Sequence, residues 1–232
     1  MDSLPQELLD KIIDNLPQPG FLFFSYSLVA RRWRRRCQQR AFDTISFSSE
    51  GNLNRWWTNI PQDVDGIPSY VRFLKIEYIT TWDDPALFAR VFKNFTSLTI
   101  LFFFETGIPD ELPGLILRGE FGKGITALYI WSSFGPLATT MSTILSLPSL
   151  KKLWIKDHKT TSGEPLSTHP ATPPGRPLDS LILQGRISGV AESLTKSRVI
   201  SRHLSLDMDV AGIEQLITIS SITVVGLSLY GV

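Results

Sequence analysis

The chain has 232 residues, of which 43% are hydrophobic and 19% charged, so it is too apolar for a disordered protein and is expected to fold. Its 23 Lys and Arg residues against 22 Asp and Glu residues give a net charge of +1, which disfavours a general attraction to nucleic acid. The single cysteine, Cys37, excludes an intrachain disulfide, and no apolar run reaches the ~18 residues of a membrane-spanning helix, so we expect a soluble protein of the cytoplasm or nucleus.

Apolar residues at helical spacing predict a first helix close to the N-terminus. Ser3 is suited to cap its start, with Gln6 three residues later as in a capping box. Pro17 disfavours helical geometry at the residue before it, which predicts the end of the helix. The residues that share one broad apolar face are Leu4, Leu8, Leu9, Ile12, Ile13 and Leu16.

A second helical stripe steps by four residues through Val29, Trp33, Cys37 and Ala41. Six arginines surround it, at positions 31, 32, 34, 35, 36 and 40. Such a run is typical of a nuclear-import signal or a nucleic-acid contact. Residues 1–48 carry only seven basic and five acidic side chains, a net charge of +2, so we favour a solvated helix face around a buried Trp33.

The first 47 residues resemble the F-box motif. The resemblance is carried by Leu4-Pro5-x-Glu7-Leu8, by Ile12 and Leu16, and by Ser-Leu-Val-Ala-Arg-Arg-Trp at 27–33, although Ala30 stands where the family often has cysteine and Pro19-Gly20 interrupts the middle. It implies a helical module, residues 1–47, that docks on the SKP-family adaptor of cullin-RING ubiquitin ligases. The docking residues it implies are Leu4, Pro5, Leu8, Ile12, Leu16, Leu28, Val29 and Trp33. A helical cap on the rest of the chain is the alternative interpretation.

Residues 40–232 repeat the pattern apolar-x-x-Leu-x-apolar, and Phe42-x-x-Ile45-x-Phe47 precedes the series as a further copy. The central leucines are Leu74, Leu101, Leu128, Leu153, Leu181, Leu204 and Leu227, separated by 27, 27, 25, 28, 23 and 23 residues. Alternation within each copy predicts a strand, and helical spacing in the intervals predicts returning helices. The intervals with helical spacing are 53–60, 87–95, 141–145 and 213–217.

A strand and helix repeated at this length resemble leucine-rich repeats. The resemblance implies an α/β fold in residues 48–232, a solenoid of about seven repeats with a curved parallel sheet on its concave side and helices on its convex side. The family carries Asn or Cys three residues after the last apolar position. Here those positions are Ile79, Thr106, Ser133, His158, Arg186, Asp209 and Val232, so we expect irregular turns in a degenerate array.

Two features interrupt the repeats. Residues 160–177 contain five prolines and no apolar periodicity, which predicts a mobile loop in place of one helix. A lid over a binding site and a tolerated surface insertion are both consistent with such a loop. The chain ends two residues after Tyr230, just beyond a repeat strand and without a polar cap, so we expect a truncated C-terminus.

Counting along each strand from its central leucine locates a binding surface. The residue immediately after the central leucine and the residue two positions beyond that one both point away from the core. Phe102, Tyr129 and Trp154 then form one row across neighbouring strands, and Phe104 and Trp131 form another. We predict that these five aromatic residues bind a target protein, unless the proline-rich loop or missing C-terminal residues cover them.

No motif in the sequence indicates catalysis, a cofactor or a metal. The three histidines lie in unrelated contexts, and Gly119-x-x-Gly122-x-Gly124 has the wrong order for a dinucleotide-binding loop. We therefore predict a non-enzymatic adaptor that joins an unknown target protein to a cullin-RING ligase, with no membrane partner. A leucine-rich-repeat scaffold without a ligase connection is the main alternative, and a nucleic-acid binder that uses the arginine helix is the third.

Overall fold

Three helices begin the chain. The computed structural model describes residues 4–16, 21–26, 28, 30–62, 66–160, 177–187, 189–207 and 226–230. The three helices are α1 (Gln6–Asp14), α2 (Phe21–Tyr26) and α3 (Arg31–Ala41). They enclose a small core of Ile13, Phe23 and Cys37. Helix α1 starts after Pro5 and ends near the predicted position, while the expected cap, Ser3, lies outside the described residues.

The rest of the described chain is a mixed α/β fold. Its strands are β1 (Thr44–Phe47), β2 (Phe73–Glu77), β3 (Ile100–Phe104), β4 (Ala127–Trp131), β5 (Phe134–Gly135), β6 (Lys152–Lys156), β7 (Lys159–Thr160), β8 (Leu178–Gln184), β9 (Ser201–Asp207) and β10 (Gly226–Tyr230). Strands β5 and β7 form a short parallel pair, and the other eight form one parallel sheet in which neighbours follow chain order. Each strand therefore returns beside the previous one.

Helices and one 3-10 turn make the crossovers between the parallel strands. The helices are α4 (Glu50–Asn59), α5 (Pro85–Phe92), α6 (Leu112–Leu117), α7 (Leu137–Ser146) and α8 (Val190–Lys196), and the 3-10 turn covers Ile67–Tyr70. Helices α4, α5 and α7 confirm predicted intervals. Helix α6 was not predicted because Pro113 and Gly114 disfavour a helix in isolation. The predicted helix at 213–217 and residues 161–176 of the proline-rich segment lie outside the described residues.

The central leucines set the register of the sheet. Leu74, Leu101, Leu128, Leu153 and Leu181 lie directly opposite one another on successive strands, and the row continues through Leu204 to Leu227. The first six are buried. Because side chains alternate between the two faces of a strand, a slip of one residue would turn this row towards solvent. The repeated leucine therefore fixes both the pairing and the face that the core occupies.

The core lies between that face of the sheet and the inner faces of the helices. Leu53 and Trp56 of α4 and Phe88 and Phe92 of α5 belong to it, and the last two rings stack with their centroids 3.8 Å apart. Local signals position both helices. Ser49 accepts a hydrogen bond from the backbone N-H of Asn52 at the start of α4, and Asp84 caps α5, which has a proline in its first turn. The opposite face of the sheet is left for other contacts.

The expectation of irregular turns is wrong for the described strands. The residue after each of five strands, β2, β3, β4, β6 and β8, has a left-handed backbone; these residues are Tyr78, Glu105, Ser132, Asp157 and Gly185. In four of the five turns the next residue is described as buried, at Ile79, Thr106, Ser133 and His158. The Thr106 hydroxyl donates to the Ile79 carbonyl at 2.6 Å, and Ser133 Oγ lies 2.7 Å from His158 Nδ1. Three polar side chains, those of Thr106, Ser133 and His158, thus take the place of the expected Asn or Cys.

Candidate functional site

Five aromatic side chains lie together on the sheet face that the helices leave open. Phe102 is opposite Tyr129 and Tyr129 is opposite Trp154, while Phe104 is opposite Trp131. All five are half-buried. The two rows have the predicted members and the predicted register, because alternation along a strand sends every second side chain to the same face. We call Phe102, Phe104, Tyr129, Trp131 and Trp154 the aromatic face.

The rings of the aromatic face contact one another at edge-to-face or tilted angles. Trp131 is central, with its ring centroid 5.4 Å from that of Phe102, 6.3 Å from that of Phe104 and 5.0 Å from that of Trp154. Tyr129 bridges Phe102 and Trp154 at 5.9 and 6.0 Å. Pairs in this geometry contribute about 0.5–1.5 kcal/mol each beyond burial, so the face is a preformed surface.

An ion pair borders the aromatic face on β2. Lys75 Nζ lies 2.5 Å from Glu77 Oε2 and 4.9 Å from the ring centroid of Phe104. Ser46 Oγ donates a second hydrogen bond to Glu77 at 2.7 Å. The hydrogen bond from Lys75, followed by that from Ser46, holds the pKa of Glu77 below its usual range. The carboxylate is therefore charged and already paired.

Polar groups also lie on the opposite border, on β6 and β8, and beside it on β4. Lys156 Nζ lies 5.4 Å from the ring centroid of Trp131, and the indole N-H of Trp154 donates to Gln184 Oε1 at 3.3 Å. The indole nitrogen of Trp131 is buried and has no hydrogen-bond partner among the described residues. A buried donor without an acceptor costs about 1–3 kcal/mol.

Two further rings extend the aromatic face beyond the five predicted residues. Phe73 precedes Leu74 on β2 and contacts Phe102 at 6.4 Å, so strand alternation was a signal that could have identified it. Tyr78 contacts Phe104 at 5.6 Å and is 56% exposed. Its position depends on the left-handed turn after β2, for which the sequence holds no signal.

The segments expected to cover the face, 161–176 and any residues after 230, lie outside the described residues.

A second candidate surface lies on the N-terminal helices. Leu8 and Ile12 of α1 are 45% and 46% exposed, and Leu4 and Leu28 are also exposed. Leu9 and Ile13 are buried, so the single apolar face predicted for α1 is divided into an inner and an outer half. We call Leu4, Leu8, Ile12 and Leu28 the apolar stripe. Of the other predicted docking residues, Pro5 is exposed, Leu16 and Trp33 are half-buried against the small core, and Val29 lies outside the described residues.

Two arginines of α3 fasten α1 in place. Arg36 forms a two-point ion pair with Asp14, at 2.8 Å through Nε and 2.5 Å through Nη2, and Arg32 donates to the Leu4 carbonyl at 2.8 Å. The hydrogen bond from Arg36 lowers the pKa of Asp14. The prediction of a solvated face agrees with exposed Arg32, Arg34 and Arg35. It is wrong for Arg36, which is half-buried against Asp14. Trp33, expected to be buried, is half-buried.

A buried serine and histidine lie together without the geometry of a catalytic site. Ser133 and His158 are at most 1% exposed, and His158 Nε2 is 3.4 Å from Thr140 Oγ1. Burial lowers the pKa of His158 to about 4 and raises the pKa of the Cys37 thiol. No substrate can reach the serine in this arrangement. The described residues contain no group of three or more His, Cys, Asp or Glu side chains placed to hold a metal.

Comparison with known proteins adds no family to these observations. No protein-family model matches the chain, and no curated protein is significantly similar to it. Among the described residues, no helix combines the length and the apolar character needed to cross a membrane. The aromatic face and the apolar stripe are therefore the two features of the molecule that bear on its function.

Proposed function

We propose that this chain is the substrate-recognition subunit of a SKP-cullin-F-box ubiquitin ligase in the cytoplasm or nucleus. Helices α1–α3 form an F-box-like module that binds the SKP-family adaptor through the apolar stripe. The sheet binds a target protein through the aromatic face. The chain has no catalytic role of its own, and it acts by holding the target near the ligase, where an increased local concentration accelerates transfer.

The exposure of the apolar stripe carries this proposal. Six large apolar side chains of the described residues are exposed, and four of them are Leu4, Leu8, Ile12 and Leu28. Scattered exposed leucines are normal on a protein surface, whereas Leu4, Leu8 and Ile12 are exposed within one short segment at α1, as expected of a binding site. Leu28 lies in the turn before α3. These four are also residues through which the N-terminus resembles the F-box motif. Exposure and sequence pattern, two independent observations, thus select the same side chains.

The array that carries the aromatic face is, in this proposal, a leucine-rich-repeat solenoid. Three features support it: the continuous row of central leucines, the parallel sheet in chain order, and the left-handed residue that follows five of its strands. The sheet would be curved, with the helices on its convex side. The aromatic face would then line the concave side, where the surface would surround part of a bound target.

The change of Leu8 and Ile12 together to Asp tests the proposal. Each carboxylate would be desolvated without a partner at the adaptor interface, so we expect at least a ~100-fold loss of affinity for a purified SKP-family adaptor, measured by isothermal titration calorimetry. Both side chains are nearly half exposed and lie outside the small core, so the fold should be retained. Circular dichroism and thermal unfolding of the same sample establish whether it is.

Leu117→Asp is the matched control. Leu117 lies on α6, is 75% exposed and undergoes the same chemical change, but it is outside the N-terminal module. It should leave adaptor affinity unchanged. Failure of the unmodified chain to bind the adaptor would refute the ligase connection and favour a repeat scaffold that acts alone. Equal affinity of the folded Leu8/Ile12 variant and the unmodified chain would show that the stripe is not the docking surface.

A further inference from the structure

The charges beside the aromatic face are distributed unequally. Lys152, Trp154 and Lys156 alternate along β6 and therefore share one face of the sheet, with a lysine on either side of the tryptophan. Neither lysine has an ion-pair partner among the described residues, in contrast to Lys75 on β2, which is paired with Glu77. The β6 side of the aromatic face is thus a cationic border without counterions.

The carboxylates near this border are occupied or distant. Asp157 accepts a hydrogen bond from the backbone N-H of Arg186 at 3.1 Å, and Asp179 lies 3.8 Å from Arg202. Glu105 is exposed at the end of β3, two strands from β6 in the sheet. The unpartnered indole N-H of Trp131 lies in the ring cluster between β3 and β6. Among the described residues, no carboxylate therefore pairs with either of the two cations beside the ring cluster.

The packing of the rings favours a peptide over a nucleic acid as the partner of this surface. Single-stranded nucleic acids stack their bases on the flat faces of aromatic side chains and follow a basic groove. The rings of Trp131 and Phe102 meet at 85°, and those of Trp131 and Trp154 at 76°, so they do not form a row of parallel faces on which successive bases could stack. Two unpaired lysines also provide only a short basic surface, which disfavours binding of a phosphate backbone. An interlocked apolar surface with a local cationic border suits apolar and carboxylate side chains in one segment.

We propose that the aromatic face binds an extended acidic peptide segment of the target, in which apolar side chains contact Tyr129 and Trp154 and Asp or Glu side chains pair with Lys152 and Lys156. This proposal rests on the proposed function and assigns the chemistry of its target. The two lysines are about 13 Å apart along β6, a span that about four residues of extended chain cover. Acidic residues four positions apart, with an apolar residue midway between them, thus match the order lysine, tryptophan, lysine.

Selection from a random 12-residue peptide display library tests the proposal without knowledge of the target. The intact chain is immobilised, and retained peptides are sequenced and synthesised. We expect enrichment of Asp or Glu beside aromatic or aliphatic residues. Replacing those acids by Asn or Gln should weaken binding at least ten-fold in fluorescence anisotropy, and so should Lys152→Gln with Lys156→Gln. Affinity should also fall as sodium chloride rises from 50 to 500 mM.

Lys93→Gln with Lys123→Gln is the matched control, since both lysines are exposed and lie outside the strands. It should leave peptide affinity unchanged. The proposal is overturned if the library yields no binder to this surface, if the selected peptides lack acids, or if oligouridine or oligothymidine binds more tightly and loses that binding in the Lys152/Lys156 variant. Adaptor binding, measured separately, distinguishes this failure from failure of the proposed function, because α1–α3 are unchanged.

Discussion

At the scale of single residues, His158 shows how the turns of this fold are filled. It occupies the position where an Asn or Cys was expected, is 1% exposed, and contacts Ser133 and Thr140 through its two ring nitrogens. Both neighbours are hydroxyls, so no carboxylate compensates a positive charge there. Burial is accordingly the cause that lowers the pKa of the imidazole from 6.5 to about 4.

This low pKa predicts an acid-sensitive fold. Between pH 6.5 and 4 the unfolded chain binds a proton at His158 that the folded chain does not, so the free energy of unfolding decreases as pH falls through that window. The expected loss between pH 7 and pH 5 is about 2 kcal/mol. Urea unfolding at the two pH values measures it, and an NMR titration of the imidazole in the folded chain should show little protonation at pH 5.

Two variants distinguish the contribution of His158 to this pH-dependent loss of stability from the contribution of the rest of the chain. His158→Gln retains hydrogen-bonding groups but cannot titrate, so the loss between pH 7 and pH 5 should shrink to within about 0.5 kcal/mol. His203→Gln, at an exposed position on β9, should keep the full loss. Asp14 and Glu77 have lowered pKa values in the folded chain, so they stabilise the fold while they are charged. Protonation of these carboxylates removes that stabilisation only at more acidic pH. A folded imidazole that protonates near pH 6.5 would contradict the prediction.

At the scale of elements, five strands of the sheet are each followed by a residue with a left-handed backbone. Gly185 follows β8 with a φ of +68°, and a Cβ atom there would clash with Asp157 Oδ1 in the neighbouring turn. That carboxylate already accepts the N-H of Arg186. Gly185→Ala should therefore lower the free energy of unfolding by about 2 kcal/mol, through backbone strain and displacement of Asp157. Denaturant unfolding measures the change.

Two further variants test this explanation of Gly185. Gly51→Ala lies in the first part of α4, where the nearest atom to a new Cβ is 3.6 Å away. The same substitution should stabilise the fold there by up to ~1 kcal/mol, because alanine favours a helix. Asp157→Ala should offset part of the loss in Gly185→Ala, since it removes the clashing oxygen. Equal effects at Gly185 and Gly51 would show that the turn is not strained.

The strands and their faces could be predicted from the sequence because burial alternates with a period of two. Leu128 and Ile130 point inward and Tyr129 and Trp131 outward, as a simple count from the central leucine requires. Helix α1 was harder, because Leu8 and Leu9 are equally apolar and only the packing of α3 decides which one is buried. The contacts of Arg36 and Tyr78 arise from tertiary geometry, so no local pattern could have indicated them.

At the scale of the whole molecule, the proposed function requires two surfaces that can be impaired separately. The apolar stripe belongs to α1–α3 with their own small core, whereas the aromatic face belongs to strands β3, β4 and β6 over the main core. Ring contacts join the aromatic residues to one another across the sheet. Substitutions on one surface should therefore leave binding at the other surface intact, provided that the sheet is not weakened.

Tyr129→Thr with Trp154→Thr tests this separation at the target side. Threonine favours strands and is polar, so it removes the rings while sustaining β4 and β6. We expect at least a ten-fold loss of affinity for the acidic peptides selected on the unmodified chain, since aromatic anchors dominate such interfaces, and no change in adaptor affinity. Leu117→Thr on α6 should alter neither. If the variant unfolds, the rings are structural core; if it folds and keeps its peptide affinity, the target binds elsewhere, and either result would contradict the assignment of the aromatic face.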